Sequence, residues 1–153
     1  MIRKNIIIVV VLLITVLLMG CTITKEAITK EAFVERMENE GYAIADATDQ
    51  FDEGVVKSVT LAINDKFQIE FFDMPNADSA IVSFNTNKEN IQNVKGGKYV
   101  EKSKSGSNFD SYKLKTDESY YVVSRIEDTF IYAVVPEDEK DNLDKVLTLL
   151  EYN

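Results

Sequence analysis

Val55-Val56-Lys57-Ser58-Val59-Thr60-Leu61-Ala62-Ile63, followed by Asn64-Asp65-Lys66 and then Phe67-Gln68-Ile69-Glu70-Phe71, is the stretch on which the fold turns. Val55, Val59, Leu61 and Ile63 share one parity, and Phe67, Ile69 and Phe71 alternate with Gln68 and Glu70. A period of two places apolar side chains on one side of a strand. Asn64 and Asp65 supply turn chemistry between the runs. The stretch predicts a β-hairpin with one buried face, closed off by Pro75.

Toward the N-terminus, Tyr42 to Ala47 predicts a third strand, and ahead of it Thr24-Lys25-Glu26-Ala27-Ile28 is nearly repeated as Thr29-Lys30-Glu31-Ala32-Phe33. Ala, Lys and Glu favour helix, Thr24 or Thr29 can serve as N-cap, and Phe33, Met37 and either Ile28 or Val34 share an inward face until Gly41 stops the helix. Beyond Pro75, Asn76 is an N-cap for a second helix with Ala77, Ala80, Ile81 and Phe84 at i, i+3, i+4 and i+7; Asn85, Asn87 and Asn90 weaken its far end. Lys95 to Ser111, rich in Gly, Ser and Lys, is expected to be the least structured part, with Tyr99-Val100 as a short strand inside it. Strands resume over Tyr112 to Lys115, Tyr120 to Ile126 and Thr129 to Val135. Pro136 then opens a last helix with acidic residues in its first turn and Leu143, Val146, Leu147 and Leu150 as its apolar stripe.

The expected fold class is α+β: an antiparallel sheet with helices packed on one face, in the order α-β-β-β-α-β-β-β-α. One core is expected from the hairpin residues, Ile81, Phe84, Val122, Ile131, Val134 and the last helix. A strongly curved sheet wrapped around the first helix is a related alternative. Ile63-Asn64-Asp65-Lys66-Phe67 and Ile126-Glu127-Asp128-Thr129-Phe130 share three identities, which raises an αβββ internal repeat against coincidental hairpin chemistry.

The first 20 residues read differently. Arg3 and Lys4 precede an unbroken apolar run of 14 residues from Ile6 to Met19, and the small Gly20 follows. At 1.5 Å per helical residue the run reaches about 21 Å, short of the roughly 30 Å that a spanning helix must cross, so a secretory signal is expected rather than a membrane span. The chain's single cysteine sits directly behind it in Leu18-Met19-Gly20-Cys21. A lone thiol leaves nothing for a disulfide.

The tetrad resembles the lipobox of bacterial lipoprotein precursors, although Met19 is bulkier than that family usually carries. The resemblance implies diacylglycerol on the Cys21 thiol, cleavage after Gly20, and a mature chain on the outer face of the cell membrane; the body resembles small lipoproteins of Gram-positive bacteria in composition and pattern alone. Two acyl chains hold a protein stably at a bilayer. The domain organisation expected is a signal peptide at 1–20, a tether at 21–28 and one α+β domain at 29–153. The residues from Thr22 to Thr29, if extended, would reach about 25 Å and lift the domain off the headgroups.

Composition narrows the partners. Loss of Arg3 and Lys4 takes the formal charge from -9 to -11. With a pI of about 4.6, nucleic acid is excluded as a partner and an anionic membrane should repel the body. The remaining partners are the membrane itself, through Cys21, and an envelope protein or polymer. The chain has no histidine, which removes the commonest general base and zinc ligand. It holds no Ser-x-x-Lys, G-x-S-x-G or Walker pattern. No catalytic, cofactor-binding or metal residue is assigned. Asp46, Asp49, Asp52 and Glu53 form an acidic cluster, but counting from Asp46 the third and fifth positions of a calcium loop are Thr48 and Gln50, so a solvated turn is expected. Lys95, Lys98, Lys102 and Lys104, with Gly96-Gly97, could contact a polyanion or headgroup; a flexible soluble loop is preferred because the glycines lack phosphate-loop spacing. Tyr120, Tyr121, Phe130 and Tyr132 are expected in packing rather than on a carbohydrate platform.

Two functional classes stay open: a lipid-anchored binding or accessory module of the envelope, and a small envelope enzyme using Ser, Lys or carboxylate chemistry. The N-terminal assignment is checked by mass spectrometry of the native protein, where the first peptide is expected to begin at acylated Cys21; a first peptide starting anywhere else refutes it.

Overall fold

The computed structural model describes residues 23–153. The expected signal segment 1–20 and the expected lipidation site Cys21 lie outside the described residues. Within them the chain forms three α-helices, α1 (Lys30–Asn39), α2 (Ala77–Asn93) and α3 (Lys140–Leu149). One seven-stranded antiparallel sheet holds β1 (Ala43–Asp46), β2 (Ser58–Ile63), β3 (Gln68–Asp73), β4 (Tyr99–Ser105), β5 (Phe109–Thr116), β6 (Ser119–Ile126) and β7 (Thr129–Pro136) in the spatial order β1-β2-β3-β7-β6-β5-β4. The mixed, antiparallel character expected from the sequence is what the chain adopts.

The hairpin register decides the layers. Ile63 pairs with Gln68, so the loop holds the four residues Asn64 to Phe67, tied by the Asn64 side chain, which accepts from the amides of Lys66 and Phe67 at 2.8 Å each. Consequently Ala62 faces Ile69 while Leu61 faces Glu70. Odd-numbered residues of β2 therefore lie on the opposite side of the sheet from odd-numbered residues of β3. The single buried face expected for this hairpin is corrected to two.

Each face has its own apolar cluster. On one, Ala62, Ile69, Phe71, Val122 and Ile131 pack with Phe33 and Met37 of α1 and with Leu143, Val146 and Leu147 of α3. On the other, Val59, Phe72, Val123, Phe130, Tyr112 and Leu114 pack with Ala80, Phe84 and Ile91 of α2. The expectation of helices on one face is thereby corrected: α1 and α3 cover one side and α2 the other. Ile81 and Val134, expected in the core, are each 38% exposed, and Leu61 and Ile63 are half-buried. The α2 stripe runs through Ala80, Phe84 and Ile91, and the helix continues to Asn93 past the asparagines expected to weaken it. Asn87 helps by donating to the Ser83 carbonyl at 2.9 Å.

Lys95 to Ser111 also differs from expectation. Tyr99–Ser105 is a full edge strand paired along its length with β5 from Tyr99↔Thr116 to Ser105↔Asp110. The element order is therefore α-β-β-β-α-β-β-β-β-α, one strand more than expected in the second half. The two similar pentapeptides form different turns: the loop after Ile63 has four residues, whereas Ile126 pairs with Thr129 across only Glu127-Asp128. The halves do not match strand for strand.

Thr29, not Thr24, caps α1 by accepting from the Ala32 amide at 3.2 Å, and Asn76 caps α2 by accepting from Ser79 at 2.9 Å. Of the tether expected at 21–28, the described residues 23–28 lie against the domain, with Ile28 in the α1/α3 cluster. Tyr152 closes the same cluster from the C-terminus, edge-on to Phe71, with its hydroxyl on Thr129. Since the Thr129 hydroxyl donates to the Ile126 carbonyl at 2.9 Å, Tyr152 is the donor of that pair. Burial pushes the Tyr152 phenol up to about 12.

Two stability outcomes follow. Phe71→Ala, which removes a fully buried ring stacked 4.8 Å from Phe33, should cost about 3–5 kcal/mol in a denaturant titration. Val134→Ala should stay within about 0.5 kcal/mol. Equal costs at the two positions would refute the assignment of faces. The raised Tyr152 pKa means that its contribution is complete below the ordinary value of 10.0 and is lost as pH rises through about 12, so alkaline unfolding should track phenolate absorbance, with Tyr152→Phe shifting it upward in pH.

Candidate functional site: a lysine-lined cleft

Period-two alternation on β4 and β5 builds one wall. On the α1/α3 side β4 presents Val100, Lys102 and Lys104, and β5 presents Lys115, Lys113 and Ser111 directly opposite them, in the pairs Val100↔Lys115, Lys102↔Lys113 and Lys104↔Ser111. Tyr120 of β6 lies beside Lys115. The other wall is α3, with Lys140, Asp144 and Thr148 at helical spacing of four, and Asn153 beyond it. Between them is an open cleft of about 440 Å³. Apolar side chains are replaced here by lysines because α3 does not reach over β4, whose seven residues are all exposed.

The cleft carries five lysines and one carboxylate in a chain whose formal charge is -9. Asp144 sits at its centre, accepting from Lys113 at 2.8 Å, Lys140 at 2.8 Å and the Tyr120 hydroxyl at 2.9 Å. Burial alone would raise the Asp144 carboxyl, but the two ammonium groups and the hydroxyl outweigh it and hold its pKa below the ordinary 3.8. The Asp144 hydrogen bond raises Lys140, with Asp141 adding to it. Burial and then Asp144 hold the Tyr120 phenol far above the usual tyrosine range. Lys140 lies over the Tyr120 ring, 5.4 Å from its centroid. Lys115 is paired with Glu137. Among the described residues neither Lys102 nor Lys104 has an ion-pair partner.

The lower end of the cleft meets the N-terminal segment. Lys25 donates to the carbonyls of Glu151 at 2.8 Å and Asn153 at 2.7 Å, and its pKa is lowered by burial and by the charge of Lys104.

The structure splits the basic segment seen in the sequence. Lys102 and Lys104 join the cleft; Lys95 turns to the other side, 2.5 Å from Glu101 and over the Tyr99 ring, and Lys98 precedes β4. Gly96-Gly97 link α2 to β4 and do not line the cleft. Lys113, Lys115 and Lys140 were missed. Alternation of Tyr112, Leu114 with Lys113, Lys115 signals that the lysines share a face, but only the strand register and the docking of α3 show what they face. Of the acidic cluster, Asp46 accepts from the Thr48 amide at 2.8 Å and Lys30 at 2.9 Å, and Asp49, Asp52 and Glu53 are exposed. Among the aromatics, Phe130 stacks on Phe72 at 4.3 Å and Tyr120 is buried, while Tyr121 and Tyr132 are half-buried on the α2 face.

A second cleft, lined by Tyr42, Asn64, Lys66, Glu139, Asn142 and Lys145 among others, is internally paired: Glu139 accepts from Lys66 at 2.5 Å and Asn142 at 2.6 Å. No family model, no curated protein and no solved structure matches this chain.

Because the Asp144 pKa is depressed, its pairing contributes stability above the ordinary 3.8 and loses it as pH falls through the folded value. In thermal denaturation, Asp144→Asn should therefore fall below the parent at neutral pH, with the gap closing in acid. A gap that persists unchanged in acid would contradict the ionic role.

Proposed function

We propose that the chain is an extracytoplasmic lipoprotein, anchored in the cell membrane by diacylglycerol on Cys21, whose α+β domain is a binding module of the envelope. The observation that carries the binding half is the cleft itself. It is open, gathers cations in an acidic molecule, and the three linked groups at its α3 wall are shifted away from neutral pH: Asp144 down as carboxylate, Lys140 up as ammonium, Tyr120 up as phenol. A general acid or base needs a pKa near working pH, and a lysine nucleophile must be neutral. Groups fixed in charge serve recognition instead. The anchoring half rests on Leu18-Met19-Gly20-Cys21 and the signal-like residues before it.

A photoreactive residue placed at Val100, which lines the cleft and is 58% exposed, should capture an envelope component in intact cells. The same residue at Val82, 65% exposed on α2, should capture little of it. Turnover of an envelope substrate by the purified chain, abolished in Tyr120→Phe at unchanged thermal midpoint, would overturn the binding role.

A further inference from the structure

The expected tether is stapled down. The Ile23 carbonyl accepts from both the amide and the hydroxyl of Ser107 at 3.3 Å. The Lys25 amide donates to the Asn108 side chain at 3.0 Å, and that side chain returns a bond to the Lys25 carbonyl at 2.7 Å. Gly106 makes the approach achievable: a Cβ there would stand 2.7 Å from the Ile23 carbonyl oxygen and 2.1 Å from the Phe109 ring. The chain thus enters the domain at the β4–β5 turn, beside the cleft end formed by Lys104, Ser111 and Asn153. Only Thr22 separates Cys21 from Ile23, a span of at most about 7 Å. A lipid on Cys21 would hold this end of the sheet at the headgroups, where Ile23, 68% exposed, can enter the interface.

We infer that the cleft is a phosphate-binding site whose anchored end faces the bilayer, so that its ligand is a phosphate group presented by membrane headgroups. The source of the phosphate rests on the lipid-anchor proposal; the phosphate chemistry of the cleft does not. Lysine binds phosphate as a point charge, whereas carboxylate recognition favours the arginine fork. Lys102 lies directly across from Lys113, whose charge is already met by Asp144 at 2.8 Å, so Lys102 is the ammonium of this cross-strand pair left for an outside anion. Along each strand the next lysine or hydroxyl follows two residues on, about 7 Å away. Lys102 and Lys104, which have no ion-pair partner among the described residues, therefore offer two anion positions in a row, with the Ser111 hydroxyl across from Lys104. Edge-strand lysines also deter strand-to-strand association, but Lys102 and Lys104 line the cleft, where Lys113, Lys115 and Lys140 already have carboxylate partners and these two do not among the described residues. The overall negative charge acts against approach from a distance, yet it is screened beyond about 8 Å at physiological salt, within which the cleft governs contact.

Two measurements test this. The purified chain titrated with sodium tripolyphosphate should show saturable NMR shifts at Lys102, Lys104, Ser111 and Lys113. The Lys102→Ala/Lys104→Ala pair should weaken binding at least about tenfold. Lys57→Ala/Lys66→Ala, at two salt bridges outside the cleft, should not. Absence of saturable shifts, or equal weakening by both pairs, overturns the phosphate site whatever the fate of the anchor. For the source, residues 21–153 are coupled through Cys21, the chain's single cysteine, to maleimide lipid in vesicles. With phosphatidylglycerol added to phosphatidylcholine, acetylation of Lys102 and Lys104 should slow several-fold relative to Lys66. Protection by tripolyphosphate alone, with no slowing on either vesicle, overturns headgroup binding and leaves a soluble phosphate as the ligand.

Discussion

The register of the β2–β3 hairpin is the constraint from which the rest of the molecule follows. With Ile63 paired to Gln68, alternating apolar residues of β2 and β3 fall on opposite sides, so neither side can be left to water. Burying Ile69 and Phe71 takes α1 and α3; burying Val59 and Phe72 takes the segment before β2 and α2. A sheet sandwiched between helices results. Its central strands β3, β7 and β6 are covered on both sides, and its margins are where surface chemistry can vary.

The cleft is a consequence of that margin. α3 is anchored by Leu143, Val146 and Leu147 over the sheet centre, so the opposite flank of the helix, with Lys140, Asp144 and Thr148, looks across an uncovered strip of β4 and β5. Asp144 ties helix to sheet through Lys113 and Tyr120, which fixes the width of the opening. The same β4–β5 hairpin also receives the N-terminal segment at Gly106-Ser107-Asn108. The cleft and the docking point of the N-terminal segment are therefore parts of one element.

Much of this was legible in the sequence where local chemistry decides. Asn76 and Thr29 cap their helices, and the α3 stripe is buried residue for residue. β3 stands close to where alternation put it, whereas the strand expected from Val55 begins only at Ser58 and Val55 is 50% exposed. What escaped was whatever depends on pairing between distant segments. A parity pattern says that Val59 and Leu61 share a side, not which side, and loop length settles it. Tyr99–Ser105 has the composition of a loop and is a strand because β5 pairs with it. The lysine site is the sharpest case: Lys102 and Lys104 were visible as a basic segment, while Lys113, Lys115 and Lys140 come to it only through sheet register and helix docking. The extended appearance of 23–28 concealed a segment held by Asn108, more than eighty residues away.

The proposed anchor on Cys21 would set the β4–β5 end of the sheet, with the cleft, at the bilayer. With Cys21 acylated, a nitroxide on an introduced cysteine reports depth without competition from another thiol. Ser105, at the end of β4, and Asp65, in the β2–β3 loop, sit at opposite ends of the sheet, separated by the length of a strand, about 25 Å. In native membranes containing a lipid-bound nickel chelate, the label at Ser105→Cys should be strongly relaxed and the label at Asp65→Cys hardly at all. Equal relaxation of the two, or the reverse order, would contradict the account.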